Sequence, residues 1–319
     1  MNTIEKRSIF VLFMTIFLAC IYFYGIRIEE DRHLLQLSLV EGLENPFSDI
    51  SIMAQSAYVY EAKSGEMIFM KHPNRVLPIA SITKLMTTFT TKKLLGDDDT
   101  ITLSEGALRE VGDSGFIAGE KWALDDMLKV MLLSSSNDAA YAIEEKINSA
   151  LIQEVQNPID SRTFVSLMNE YADILEIPSL KFLNPHGLDK DGVPQAFGNA
   201  EDVAKLAWKT YSAFPDIIGV TKNPYLQITS IGGFPHEFAN TNTELASMPG
   251  LVASKTGYTS VAGGNLVTIF ETEQDQVIVI AILGSTYLDR FSDTITLHQA
   301  SDYYLNQFNE RGIDLTFGN

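Results

Sequence analysis

The longest uncharged run in the chain is IFVLFMTIFLACIYFYGI, from Ile9 to Ile26, with Lys6 and Arg7 before it and Glu29, Glu30 and Asp31 after it. About 18 residues is just enough to span a bilayer as a helix. Basic residues ahead of the run predict a cytoplasmic N-terminus. A cleaved signal peptide is the rival reading, which would leave the rest secreted or periplasmic, yet no small-x-small site ends the run. Phe17-Leu18-Ala19-Cys20 faintly resembles a lipoprotein cleavage box, but Ile21-Tyr22-Phe23-Tyr24 would be an odd mature start. The pattern therefore divides the chain into a cytoplasmic N-terminus (1–8), a retained single-pass anchor (9–26), a leucine-rich juxtamembrane spacer (27–50) and an extracytoplasmic domain (51–319).

Past the spacer, residues 52–70 read as two short strands around a Lys63-Ser64-Gly65 turn. Ile82, Leu85, Met86 and Phe89 then recur at helical spacing. Residues 104–214 read mostly as helix, with segments opening at Asp125 and Asn137 and a third from Glu201 to Tyr211. Strand signals return at Leu226–Thr229, Leu266–Phe270 and Val277–Leu283, and a helix from about Asp293 to Phe308 closes the pattern. Strands at both ends with helices between them predict the α/β (α+β) class. We expect one mainly antiparallel sheet built from distant segments, flanked by helices, with an all-helical lobe inserted.

Composition narrows the chemistry. A net charge of -18 argues against a nucleic-acid partner, whose phosphates would be repelled. The single cysteine, Cys20, lies in the apolar run, so the domain has no disulfide, thiol nucleophile or cysteine-based zinc site. Five scattered histidines form no His-Glu-x-x-His pair, and no metal or cofactor is implied. Of these, His186 and His236 read as structural, and Trp122 and Trp208 as core residues.

Three short motifs remain: Ser81-Ile82-Thr83-Lys84, Ser135-Ser136-Asn137 and Lys255-Thr256-Gly257. On a helix, positions i and i+3 share a face, so the Lys84 amine can reach the Ser81 hydroxyl. A serine hydroxyl needs a base, and a lysine serves only if burial or a nearby cation lowers its pKa. Lys255 is the obvious cation. Each motif alone reads blandly, as a helix cap or a strand edge; three in this order do not.

Together the motifs resemble those of the serine-type D-alanyl-D-alanine carboxypeptidases, the low-molecular-mass penicillin-binding proteins of peptidase family S11. The resemblance extends over Tyr58–Glu66, Pro78–Thr87, Leu133–Ala140, Asn184–Leu188 and Lys255–Thr259, and covers about residues 52 to 305. It implies a β-lactamase/transpeptidase-like fold and a residue-by-residue assignment. Ser81 would attack the D-Ala-D-Ala bond of a peptidoglycan stem peptide and form an acyl-enzyme, with Lys84 taking its proton. Ser135 would relay a proton to the departing D-alanine. Asn137 would hold substrate amide groups, and Lys255, Thr256 and Gly257 would hold the terminal carboxylate region. Backbone N–H groups of Ser81 and Tyr258 would form the oxyanion hole, and β-lactams would be covalent inhibitors.

The sequence departs from the family pattern at three places. Ser136 stands where glycine is usual, Gly198-Asn199-Ala200 replaces a Ser-Thr-Ala lead-in, and Asn265 stands where cysteine is common. Three alternatives stay open: a D,D-endopeptidase on cross-links, a class A-like β-lactamase, and a non-enzymatic penicillin sensor. Against the β-lactamase, no Glu-x-x-Leu-Asn lies between the second and third motifs.

Overall fold

The computed structural model describes residues 44–154 and 162–310, in two compact units. The larger, described over Pro46–Asp302, carries every candidate residue of the three motifs. The smaller is described at residues 44–45 and 303–310, where Tyr303 Oη and Gln307 Nε2 both donate to Glu44. The expected anchor at 9–26 and most of the 27–50 spacer lie outside the described residues. No helix among the described residues is long and apolar enough to cross a membrane.

The predicted opening hairpin is present as β1 (Ser56–Glu61) and β2 (Met67–Lys71). Its turn uses Gly65 at φ 79°, in the left-handed region, and the buried Glu61 carboxylate accepts from Ser64 N and Val277 N. Short strands β3 (Leu77–Pro78), β4 (Thr100–Thr102), β5 (Lys121–Ala123), β6 (Lys181–Phe182) and β7 (Ala196–Gly198) pair only among themselves. So do β8 (Tyr225–Thr229) and β9 (Pro235–Ala239). Strands β10 (Leu251–Thr259), β11 (Gly263–Glu271) and β12 (Val277–Ser285) return to the hairpin. The resulting antiparallel sheet has the order β10-β11-β12-β1-β2.

All of β12 is buried, and its two faces divide by the strand's period of two. Val277, Val279, Ala281 and Leu283 join the main core, whereas Ile278, Ile280 and Ile282 face the other way. Among the described residues the helices are α1 (Lys84–Leu94), α2 (Leu124–Leu133), α3 (Asn137–Glu154), α4 (Phe164–Ile174), α5 (Ala200–Ala213), α6 (Pro215–Ile218) and α7 (Asp289–Glu310). Helix α5 packs on β1, β12 and α1, with Val203, Leu206 and Ala207 inward as the sequence predicts. On the opposite face α7 places His298 against Phe270 (centroids 3.8 Å apart), and Asp293 accepts from Met53 N, Ala54 N and Ser285 Oγ.

Three sequence expectations are corrected. Residues 104–214 are less helical than their pattern suggests, because Pro178, Pro185, Gly187, Gly192 and Pro194 break the stretch 175–198 into loops and short strands. Leu226–Thr229 is a strand, but of the separate hairpin and not of the main sheet. The last helix starts at Asp289, where Thr286 Oγ1 accepts from Asp289 N.

Candidate active site

Ser81 sits in a 3-10 turn, Ala80–Thr83, that runs straight into α1, so Lys84 is the first α-helical residue and Ser81 precedes it. In a 3-10 turn residues i and i+3 eclipse. That brings Lys84 Nζ to 2.9 Å from Ser81 Oγ. The turn is pressed into place from outside. Gly187, at φ 79°, lies so close that a Cβ there would stand 2.0 Å from Ala80 O. Ala80 itself takes φ 47°, an unfavourable region for a residue with a Cβ. The loop carrying Gly187 is closed by Asn184, whose Oδ1 accepts from Gly187 N and whose Nδ2 donates to Leu188 O.

Lys84 is fully buried. Its Nζ donates to Ser81 Oγ, to Asn137 Oδ1 at 2.8 Å and to the His186 backbone carbonyl at 2.9 Å. Burial is the larger cause, and the Lys255 cation the second, of a pKa pushed well below the ordinary lysine value; Glu110 opposes both. The shift favours the neutral amine that a base requires; in that form two N–H bonds serve Asn137 Oδ1 and His186 O, and the lone pair faces the Ser81 hydroxyl.

Lys255 is 1% exposed, on β10 at the edge of the main sheet. Its Nζ donates to Ser135 Oγ and to Thr256 O, each at 2.9 Å. Burial first, and Arg290 second, bring its pKa down to about 7. Ser135 holds φ 60° to present its hydroxyl there, a strained choice for a non-glycine residue. Ser136 turns the other way. Its Oγ accepts from Ala139 N, capping α3, and from Ser114 Oγ. The serine that replaces the usual glycine thus has a structural duty.

The sequence reading gave Asn137 to the substrate. In the structure both ends of its amide are engaged by the protein, Oδ1 with Lys84 and Nδ2 with Val111 O. Thr256 Oγ1 meets Thr241 Oγ1 at 2.6 Å. Gly257 must be glycine on packing grounds, since a Cβ would lie 2.7 Å from Ile79 O and 3.2 Å from Ser81 N. Strand β10 therefore runs close against the Ser81 turn, and the next residue, Tyr258, is half exposed. Asn265, where cysteine was expected, is a buried strut that accepts from Gly284 N and donates to Pro78 O.

Four contributors escaped the sequence reading. The His186 carbonyl holds Lys84, and nothing in a side chain announces such a role. The His186 ring is neutral: burial, then the neighbouring Lys84, push its pKa to about 3, and Leu188 N donates to its Nδ1. Its 3.5 Å approach to Glu110 is therefore a polar contact and not an ion pair. Thr241, Arg290 and the Val111 carbonyl had no motif to mark them. His236 is structural as expected, ringed by Phe116, Trp122 and Phe238 with its Nε2 on Glu120. Trp122 is core, but Trp208 is only partly buried and lines a concavity with Phe89, Lys93 and Lys209.

A buried lysine against a serine hydroxyl, with the charge of a second buried lysine acting on the first, is an arrangement suited to acyl transfer. The profile of the peptidase S11 family, described as D-alanyl-D-alanine carboxypeptidase, matches residues 43–286. The Bacillus subtilis D-alanyl-D-alanine carboxypeptidase DacF is 29% identical over 251 residues, covering 76% of this chain and 60% of that one. A D-alanyl-D-alanine endopeptidase of Pseudomonas aeruginosa is 26% identical over 283 residues, 81% of this chain and 84% of its own length. Among solved structures, ampicillin-bound penicillin-binding protein D2 of Listeria monocytogenes superposes with a TM-score of 0.63 at 27% identity, covering 79% of this chain and 98% of that one. The chain spans about 60% of the length of the curated carboxypeptidases it matches.

Proposed function

Because the chain belongs to the peptidase S11 family of D-alanyl-D-alanine carboxypeptidases, we propose that it removes the terminal D-alanine from peptidoglycan stem peptides through an acyl-enzyme on Ser81. The observation that carries this reading is the 2.9 Å contact of Ser81 Oγ with a fully buried lysine amine. Ser81 Oγ attacks the carbonyl carbon of the penultimate D-alanine while its proton passes to Lys84 Nζ. Backbone N–H groups of Ser81 and Tyr258 take up the oxyanion. Collapse of the tetrahedral intermediate breaks the peptide bond, and Ser135 relays a proton to the departing amine, its own being replaced from Lys255 Nζ, which donates to it. Water then hydrolyses the ester, its proton returning through Ser135 to Lys255 while Lys84 gives back the proton it took to Ser81 Oγ. Lys255 and Thr256 hold the substrate carboxylate, a charge-assisted contact suited to a free C-terminus.

The fold is that of penicillin-binding proteins and transpeptidases, an antiparallel sheet with flanking helices. A β-lactamase reading is disfavoured by the partners of Lys84, which are a hydroxyl, an amide oxygen and a peptide carbonyl; none is a carboxylate able to activate water. Penicillin should therefore acylate Ser81 and leave slowly. Cross-link cleavage is kept as a second reading, because the chain matches most of the length of the Pseudomonas endopeptidase. Incubation with diacetyl-Lys-D-Ala-D-Ala should release free D-alanine, and a purified cross-linked muropeptide dimer should be cut more slowly. Dimer cleavage without D-alanine release would favour the endopeptidase; neither product would leave a penicillin sensor.

We also propose that residues 9–26 are a retained anchor, on the strength of Lys6 and Arg7 ahead of an uncharged run. The full-length chain should stay in bacterial membranes through an alkaline carbonate wash and should keep its N-terminal peptide in mass spectrometry. Loss of that peptide from a soluble product would show a cleaved leader instead.

A further inference from the structure

Arg290, in the first turn of α7, is 3% exposed and has no carboxylate partner among the described residues. Burying a cation costs several kcal/mol unless something compensates. Here the compensation is a backbone carbonyl, two aromatic rings and a polar contact with the Tyr287 side chain, none of them a carboxylate. Nη1 donates to Gly257 O at 3.1 Å, and the guanidinium lies 4.5 Å from the Tyr287 ring centroid and 4.7 Å from that of Phe291. Its Nε has no hydrogen-bond partner among the described residues. A neutral side chain would fill this place at lower cost, so packing alone does not account for the charge.

The carbonyl that Arg290 grips belongs to the same planar peptide unit as Tyr258 N–H. In a trans peptide the two bonds point in opposite directions, so a hold on the oxygen fixes where the N–H points. It also draws electron density from the nitrogen and strengthens that donor. The near face of the same residue is fixed by Ile79 and Ser81, which leave no room for a Cβ at Gly257. Tyr258 is braced as well, its ring edge-on to Tyr287 at 4.9 Å.

We propose that Arg290 is a positioning residue of the oxyanion hole, holding and polarising the Gly257–Tyr258 peptide so that Tyr258 N–H meets the developing oxyanion as a strengthened donor. The inference rests on the acyl-transfer reading above. A competing route runs through Lys255, whose pKa Arg290 also lowers.

The test uses the full chain as wild type, Arg290→Met, Arg290→Lys and Tyr287→Leu. Penicillin acylation is resolved into Kd and the first-order acylation constant across pH, and the infrared stretch of the Ser81 ester carbonyl is recorded in each acyl-enzyme. Loss of the guanidinium should slow acylation about tenfold at every pH, less than deletion of a whole oxyanion donor, with Kd changed by less than about twofold. The ester band should move to higher frequency, and Arg290→Lys should recover part of both effects. An unmoved band in folded Arg290→Met overturns the proposal. So does an effect confined to a move of the alkaline limb to higher pH at unchanged plateau, which would assign Arg290 to Lys255 instead. If Arg290→Met does not fold, Tyr287→Leu carries the same readouts, and an unmoved band there overturns it equally. Wild type that penicillin does not acylate would sink the acyl-transfer reading itself, and this inference with it.

Discussion

A Ser81→Ala chain is expected to fold, to take up no fluorescent penicillin and to release no D-alanine, a loss of at least about a thousandfold in rate. The structure shows why folding should survive. Ser81 Oγ accepts one hydrogen bond from Lys84 and makes only a long one, 3.4 Å, to His186 O. Without the hydroxyl, Lys84 keeps Asn137 Oδ1 and His186 O as partners. The turn is held by other contacts, including Ile82 N to Ile79 O and Thr83 Oγ1 to Ala80 O. Thermal melting should therefore move by no more than a few degrees, the shift expected for about 1 kcal/mol in a domain of this size. Gel fluorescence that persists in Ser81→Ala at wild-type stoichiometry would place the nucleophile elsewhere.

The parts of this site legible in the sequence were those whose chemistry resides in side chains at fixed spacing. Ser81 and Lys84 are brought together as their spacing required, whereas the contact of Ser135 with Lys255, 120 residues away, had no such signal. The core elements were legible for a similar reason. Val277–Leu283 is an unbroken apolar run rich in β-branched residues, bounded by turn signals, and the α5 face follows a period of 3.6. Strand β10 was not. Its Ser-Lys-Thr-Gly stretch has weak strand propensity and is held extended by its ladder to β11, in which Lys255 pairs with Val267 and Gly257 with Asn265. Backbone contributions were illegible in principle. The carbonyls of His186 and Val111 bond Lys84 and Asn137 whatever side chains those residues carry. Arg290 lacked a signal because its meaning depends on a carbonyl 33 residues away in sequence. Asn137 was half legible: its presence at the site followed from the motif, its bond to the base did not.

Replacing Lys84 separates a base from a mere positive charge. Lys84→Met keeps the buried aliphatic stem, and Lys84→Arg keeps a cation that does not deprotonate in proteins. Both should slow acylation about a thousandfold or more, because neither can accept the Ser81 proton. Wild-type-like acylation by Lys84→Arg would show that charge, and not basicity, is what the position supplies. The pH dependence tests the same point with a sign. Neutral Lys84 is the active form, so the rate at saturating penicillin should fall on the acid side as the amine gains a proton. The Lys255 cation helps to lower the Lys84 pKa, so Lys255→Gln should raise it and move the acid limb to higher pH. Glu110 acts in the opposite sense, so Glu110→Gln should move that limb to lower pH. Opposed shifts identify the titrating group as one lying between a cation and an anion, which is where Lys84 stands. If the two variants moved the limb in the same direction, or left it in place, the group losing its proton would be another residue and the assignment of Lys84 as base would fail.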